Sequence, residues 1–221
     1  MLHPSYRVRY TLGYTGVTPA LQTRMKDNGE QSDFEYFTAN NCLVIRFLRP
    51  EQRNPLTTHV VSGLIGLFND LELNSVRKVV FTGSSGVFAA GADLNEIADL
   101  DQGLARDFSL RGQSLMNKIA SLTIPTVAAI NGYCFGGALD LALACDKRIA
   151  VPNAVFSHPG VSLGIITGWG GTQRLPRLIG EAATLEMLLT ADRFSANWAL
   201  RKGLVDAIDD DPLHYAIDHI D

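Results

Sequence analysis

The sequence predicts an α/β fold whose sheet is buried on both faces. Three observations carry this expectation. Short apolar runs rich in β-branched residues recur at 42–48, 78–82 and 126–130. Stretches with apolar residues at helical spacing separate them, which implies right-handed crossovers between parallel strands. The run at 126–130 passes through a turn containing Gly136-Gly137 straight into an apolar helix that continues to Cys145.

Taken in order, residues 1–32 show no sustained period and many turn formers, and read as a loosely ordered leader. Met25 is a candidate start of translation, with the residues before it an extension. Residues 34–37 and 42–48 read as a strand pair turned at Asn40-Asn41 and ended by Pro50 and Pro55. Over 57–73 the apolar positions Val60, Val61, Leu64, Ile65, Leu67, Phe68 and Leu71 keep helical spacing, and strand 78–82 follows. Asp93 with Glu96 three residues on predicts an N-cap and its capping-box partner, opening a helix toward Leu100. A second helix spans about 104–122 and is stopped by Pro125. After the helix at 137–145, strands are expected at 147–151 and 155–156, helices at 171–178, 181–189 and 196–202, and a last strand at 205–208.

Composition narrows the function classes. A chain of 221 residues, 46% hydrophobic and 19% charged, supports one good core, so one domain is the default. The net charge of -4 and the absence of any Lys/Arg-rich run leave no basic footprint for nucleic acid. No window offers the ~18 consecutive apolar residues of a membrane span, and no basic start precedes an apolar run, so neither a membrane nor a secretory role is expected. A cytoplasmic location fits these features. Cys42, Cys134 and Cys145 are odd in number and two lie in apolar patterns, which predicts buried free thiols. His214 and His219 are five apart, off a shared helix face, and do not suggest a metal pair.

Chemistry is concentrated at the Gly-Gly turn. Gly136 and Gly137 allow the backbone to bend sharply and approach a ligand, and the first N–H groups of the following helix have no acceptor within it. Such a helix start favours negative charge. Asp140, three residues after Gly137, stands nearly one turn on along the same side. Competing motifs fail: GSSGV at 83–87 lacks the spacing of a nucleophile elbow, and no Walker or dinucleotide glycine pattern is present.

The segment NGYCFGGALDLALACD, with FAAGADL upstream and SLGIITGWGGTQRLPRLIG downstream, closely resembles the enoyl-CoA hydratase/isomerase (crotonase) superfamily from about Phe34 to about Ala207, in the family's order and spacing. The resemblance implies a superhelix of ββα units with its core over 33–192, a short C-terminal helical region over 193–221, and assembly as trimers or dimers of trimers. It implies an acyl-CoA substrate, with CoA arriving as part of that substrate and no metal or redox cofactor; hydration of a 2-enoyl-CoA is the first expectation. It assigns the N–H groups of Ala92 and Gly137 to an oxyanion hole and Asp140 to acid/base work. It places Ala90, Asp93, Leu94, Asn95, Gly136, Gly160 and Trp169 along the bound substrate. Asp93 is expected as a helix cap before a ligand. Trp169 either walls the acyl pocket or packs in the core, and Arg174 anchors backbone or subunit contacts.

Two departures matter. Hydratases of the family carry glutamate where this chain has Asp140, one methylene shorter, and a second glutamate where it has Gly160. Either Asp140 handles both proton transfers, or a neighbour such as His158 substitutes, or the reaction is isomerisation, hydrolysis or decarboxylation of an acyl-CoA. A catalytically weak acyl-CoA-binding subunit is the reading from a different class. The family's further C-terminal helices also have no counterpart before Asp221, so a shortened or reorganised closure of the acyl pocket is expected.

Overall fold

The computed structural model describes residues 22–23, 32–70 and 76–220. Of the leader, Gln22, Thr23 and Ser32 fall among these residues; Met25 lies outside them. Thirteen strands and eight α-helices are described. The strands are β1 Gln22–Thr23, β2 Phe34–Ala39, β3 Cys42–Phe47, β4 Pro55–Leu56, β5 Lys78–Thr82, β6 Val87–Ala89, β7 Gly91–Ala92, β8 Thr126–Ile130, β9 Tyr133–Phe135, β10 Lys147–Ala150, β11 Val155–Ser157, β12 Phe194–Ser195 and β13 Ala207–Ile208. The helices are α1 Thr58–Asp70, α2 Leu94–Ala98, α3 Gln102–Ala120, α4 Gly137–Ala144, α5 Gly171–Ile179, α6 Glu181–Thr190, α7 Ala196–Lys202 and α8 Pro212–Asp218.

The architecture is the expected α/β superhelix of ββα units. In three successive units a strand of the large sheet (β5, β8, β10) is followed by a strand of a second sheet (β6, β9, β11) and then by helix. The large sheet runs β1-β2-β3-β5-β8-β10-β13, and the second runs β12-β11-β9-β6. Pairing is parallel from β3 through β13, with β1–β2 and the β2–β3 hairpin antiparallel at one end of the sheet. Its turn residues, Asn40 and Asn41, hold φ of 48° and 61°, a conformation that asparagine tolerates.

Side-chain alternation explains why the strands read as continuous apolar runs. From β8, Ala128 and Ile130 enter the main core with α1, α3 and α4, while Val127 and Ala129 face the opposite side. That second face is covered by α8, through Ala216 with Leu213 and Ile217. The buried Lys78 ammonium fixes α8 there by donating to the carbonyls of Ala216, Ile217 and Ile220, the acceptors that a helix C-terminus leaves unpaired.

The long elements match expectation within one or two residues; positions 71–73 of the expected 57–73 helix lie outside the described residues. Three differences are informative. Glu96 is not the capping-box partner of Asp93: its Oε2 accepts from the Thr58 N–H at 2.8 Å and the Thr58 hydroxyl at 2.9 Å, tying α2 to the start of α1. Of the second sheet only β11 was expected, at 155–156; β6, β9 and β12 escaped sequence reading because strands of two or three residues are too short to show a period. Helix α8 also escaped, although Pro212 at its first turn and Asp211, which accepts from the His214 N–H at 3.0 Å, are ordinary start signals.

Candidate active site

The Gly-Gly turn joins β9 of the second sheet to α4. Gly136 holds φ 52° and ψ -123°, a region open to glycine and closed to side-chain-bearing residues. Its N–H donates to the Ser157 carbonyl at 2.9 Å, and its own carbonyl accepts from the Asp140 N–H at 3.0 Å, so the turn is bonded on both sides. Gly137 is the first residue of α4, and the peptide N–H at that position finds no acceptor within the helix.

A second backbone segment meets this turn. Gly91 and Ala92 form β7, held by parallel pairing with Pro55 and Leu56 of β4. Gly91 approaches so closely that a β-carbon on it would lie 2.8 Å from the Gly137 nitrogen and 2.7 Å from the Phe135 oxygen. A β-carbon on Gly137 would in turn lie 3.4 Å from the Ala92 nitrogen. The Ala92 and Gly137 amides are thus neighbours from two distant stretches of chain, both on partly exposed residues. Asn54 braces this junction by donating to the Val87 and Phe88 carbonyls at 2.9 and 3.0 Å, and Ala90 donates its N–H to the Arg53 carbonyl at 2.8 Å.

Asp93 caps α2, accepting from the N–H groups of Asn95 at 2.7 Å and Glu96 at 3.3 Å. Leu94 and Asn95 follow it at the exposed rim, where Leu94 is 56% exposed. The capping role expected for Asp93 is the one observed.

The Asp140 carboxylate is buried on the inner side of α4, 1% exposed. The Thr167 hydroxyl donates to Oδ2. The His158 Nε2 lies 3.4 Å from Oδ1, and neither of these two atoms has a hydrogen-bond partner among the described residues. Gly171, the first residue of α5, packs on the same carboxylate: a β-carbon there would lie 2.3 Å from Oδ1, 2.8 Å from the Thr167 methyl and 3.1 Å from His158 Nε2. Sequence reading singled out Asp140 and His158 separately. It missed Thr167 and the part played by Gly171; a single threonine in a loop carries no pattern of its own.

Gly160 sits in a 3₁₀ turn over Pro159–Leu163, and its carbonyl accepts from the Ile165 N–H at 3.0 Å. A β-carbon on Gly160 would lie 2.8 Å from the Ile165 oxygen, so this turn is closed in a form that suits glycine. Next to it is a cavity of about 10 Å³, the room of one water molecule, lined by His158, Gly160 and Thr167 together with Ile165 and Leu188.

Trp169, 4% exposed, lies between two helices with its indole against glycines on both. A β-carbon on Gly112 of α3 would fall 2.1 Å from the indole nitrogen, and one on Gly137 would fall 2.5 Å from the six-membered ring. Phe108 packs on it with ring centroids 5.4 Å apart. The packing alternative is the one observed: the ring is buried, and the backbone it covers is that of Gly137. Arg174 holds the loop by donating to the Trp169 carbonyl at 3.3 Å and to Asn117 Oδ1 at 2.9 Å, the backbone anchoring expected of it.

The three cysteines are free and buried, as the sequence predicts. Burial pushes the Cys134 thiol well above its ordinary value, and the nearby Cys145 and Asp140 raise it further, so it remains a neutral neighbour of the carboxylate.

The family model described as enoyl-CoA hydratase/isomerase matches residues 38–217. The chain is 36% identical over 167 residues to the short-chain-enoyl-CoA hydratase of Clostridium acetobutylicum, an alignment covering 75% of this chain and 64% of that protein. The chain thus spans less than two thirds of this curated relative. Among solved structures, enoyl-CoA hydratase from Bacillus anthracis superposes with a TM-score of 0.78 at 35% identity, covering 84% of this chain and 72% of that one. Pseudomonas aeruginosa DspI superposes with a TM-score of 0.79 at 33% identity, covering 87% and 79%.

Proposed function

This chain belongs to the enoyl-CoA hydratase/isomerase family, and from that membership and the geometry around Gly137 we propose that it hydrates a 2-enoyl-CoA. One observation carries the reading: the Ala92 and Gly137 amides converge from two segments, with the Asp140 carboxylate one helical turn away. Two N–H donors aimed at a thioester oxygen stabilise the enolate-like charge that develops when a nucleophile adds to the conjugated double bond. Loss of one such donor typically costs ~3–4 kcal/mol of barrier.

In this reading Asp140 is the acid/base, and Ala90, Leu94, Asn95 and Gly136 lie along the acyl-CoA, which brings its CoA with it. Trp169 covers the start of the acyl path and favours short acyl groups. Trimeric assembly and a cytoplasmic location belong to the same proposal. Mixing the protein with a short 2-enoyl-CoA and following the conjugated thioester absorbance tests it. Loss of absorbance with the wild type and its persistence with Asp140→Asn, at unchanged affinity for a saturated acyl-CoA, is the expected result. Equal turnover by the two proteins overturns the role of Asp140.

A second reading is favoured by Gly160, which offers no side chain. One carboxylate suffices for double-bond isomerisation, because the same group removes a proton from one carbon and returns it to another. Appearance of the conjugated absorbance from a 3-enoyl-CoA is its signature.

A further inference from the structure

Hydration requires a proton to be taken from water and a proton to be given to the substrate α-carbon, yet among the described residues a single carboxylate, that of Asp140, stands at the site. The two orphaned polar atoms suggest how it manages. We propose that Asp140 and His158 act as one two-site proton relay, in which the imidazole takes over the role that a second carboxylate fills in family members with glutamate at position 160. This inference rests on the hydratase reading above.

The geometry supports it from several sides. His158 is 3% exposed, and its Nε2 faces Asp140 Oδ1 at 3.4 Å with neither atom otherwise hydrogen-bonded among the described residues. Leaving both unsatisfied is costly in a buried site, and a shared proton removes that cost. Thr167 donates to Oδ2, so one carboxylate oxygen is fixed and the other is left to the imidazole. The water-sized cavity beside His158 and Thr167 opens on the side where Gly160 contributes no side chain.

The proton inventory closes. Starting from ionised Asp140 and neutral His158 with Nε2 unprotonated, Asp140 takes a proton from the water whose oxygen bonds to the β-carbon and passes it to Nε2 across the 3.4 Å contact. The double-bond electron pair shifts toward the thioester oxygen, held by the Ala92 and Gly137 amides. The proton held on His158 then returns through Asp140 to the α-carbon as the enolate collapses. One C–O and one C–H bond form, one water is consumed, and the pair returns to its starting protonation. His158 therefore works through Asp140 as a positioning residue.

The groups facing the pair are few. β9 presents the neutral Cys134 thiol, α5 presents Gly171, the loop before it presents Thr167, and α6 presents Leu188.

Two measurements test the relay. His158→Gln keeps a polar side chain that cannot titrate. With its melting temperature and butanoyl-CoA affinity close to wild type, we expect kcat to fall by about a hundredfold or more and its pH profile to lose one limb; kcat within about threefold of wild type, with the same profile, overturns the proposal. Independently of turnover, the His158 imidazole is followed by NMR in wild type and in Asp140→Asn, assigned by its disappearance in His158→Gln. Removing the carboxylate is expected to change the imidazole nitrogen shifts at a fixed pH, because the proton shared with Oδ1 is lost. Unchanged shifts also overturn the relay. If the wild type hydrates no enoyl-CoA while the shifts move, the hydratase reading falls and the coupled pair stands.

Discussion

Gly171 faces Asp140 across a gap that no β-carbon can occupy: built at Gly171, it would lie 2.3 Å from the carboxylate oxygen. The glycine at the start of α5 therefore sets how deeply the carboxylate seats. Gly171→Ala is expected to turn Asp140 away from its present position and to lower kcat by one to two orders of magnitude, since small displacements of a catalytic group are costly. Acyl-CoA affinity, measured by calorimetry with a saturated analogue, is expected to change little, because the amide pair lies on β7 and α4.

Trp169 fills the space over Gly137, so its removal has two consequences. Trp169→Ala is expected to cost ~3–5 kcal/mol of stability, as for other buried aromatic truncations, read from urea unfolding. It is also expected to shift the preference among saturated acyl-CoA ligands from four carbons toward eight. An open apolar pocket gains about fourfold in affinity per added methylene. The wild type is expected to gain nothing over that series.

Burial, with the Asp146 charge, outweighs the nearby Arg148 and pushes the Cys145 thiol, which donates to the Leu141 carbonyl at 3.5 Å, up to about 12 from an ordinary 9.0, so it stays protonated in the folded chain. The unfolded chain loses the proton first. Stability is thus fully present below about pH 9 and falls as pH rises toward 12, with a slope approaching about 1.4 kcal/mol per pH unit from this group. Urea midpoints at pH 8 and pH 10 are expected to differ less in Cys145→Ala than in wild type.

Arg148 is buried and donates to the carbonyls of Leu204 and Cys145, both at 2.8 Å, and to Asp206 Oδ2 at 3.0 Å. It joins the end of α4 to the segment before β13. Asp206→Ala removes a partner whose side chain is 28% exposed, so a loss of about 1–3 kcal/mol is expected, below the cost of breaking a fully buried pair. Chemical denaturation reads it.

Lys78→Met is expected to loosen α8 by leaving its final carbonyls without their donor. Limited proteolysis is expected to cut within 209–220 faster in this variant, with the rest of the chain resisting as before.

The large sheet was legible because its buried strands are runs such as Val79–Phe81 and its helices keep a clear period. The turn at Gly136-Gly137 was legible because glycine pairs between a strand and a helix carry a backbone meaning of their own. The assembly of Asp140, His158, Thr167 and Gly171 was not. These four come from α4, β11's end, a loop and α5, and nothing in local spacing says that their side chains meet. Glu96 shows the reverse failure: a local pattern, Asp93 with Glu96, was present, but Thr58 competed for the carboxylate from a distant element.

Both amides of the proposed oxyanion hole belong to the main chain, and this affects how the protein can diversify. Replacing a side chain, proline apart, leaves such donors in place, so the proposed grip on a thioester would be insulated from most point mutations. The surrounding side chains, Asp140, His158 and Trp169, are free to drift. Such an arrangement lets the chemistry beside a bound ligand change while the main-chain grip on the ligand is retained.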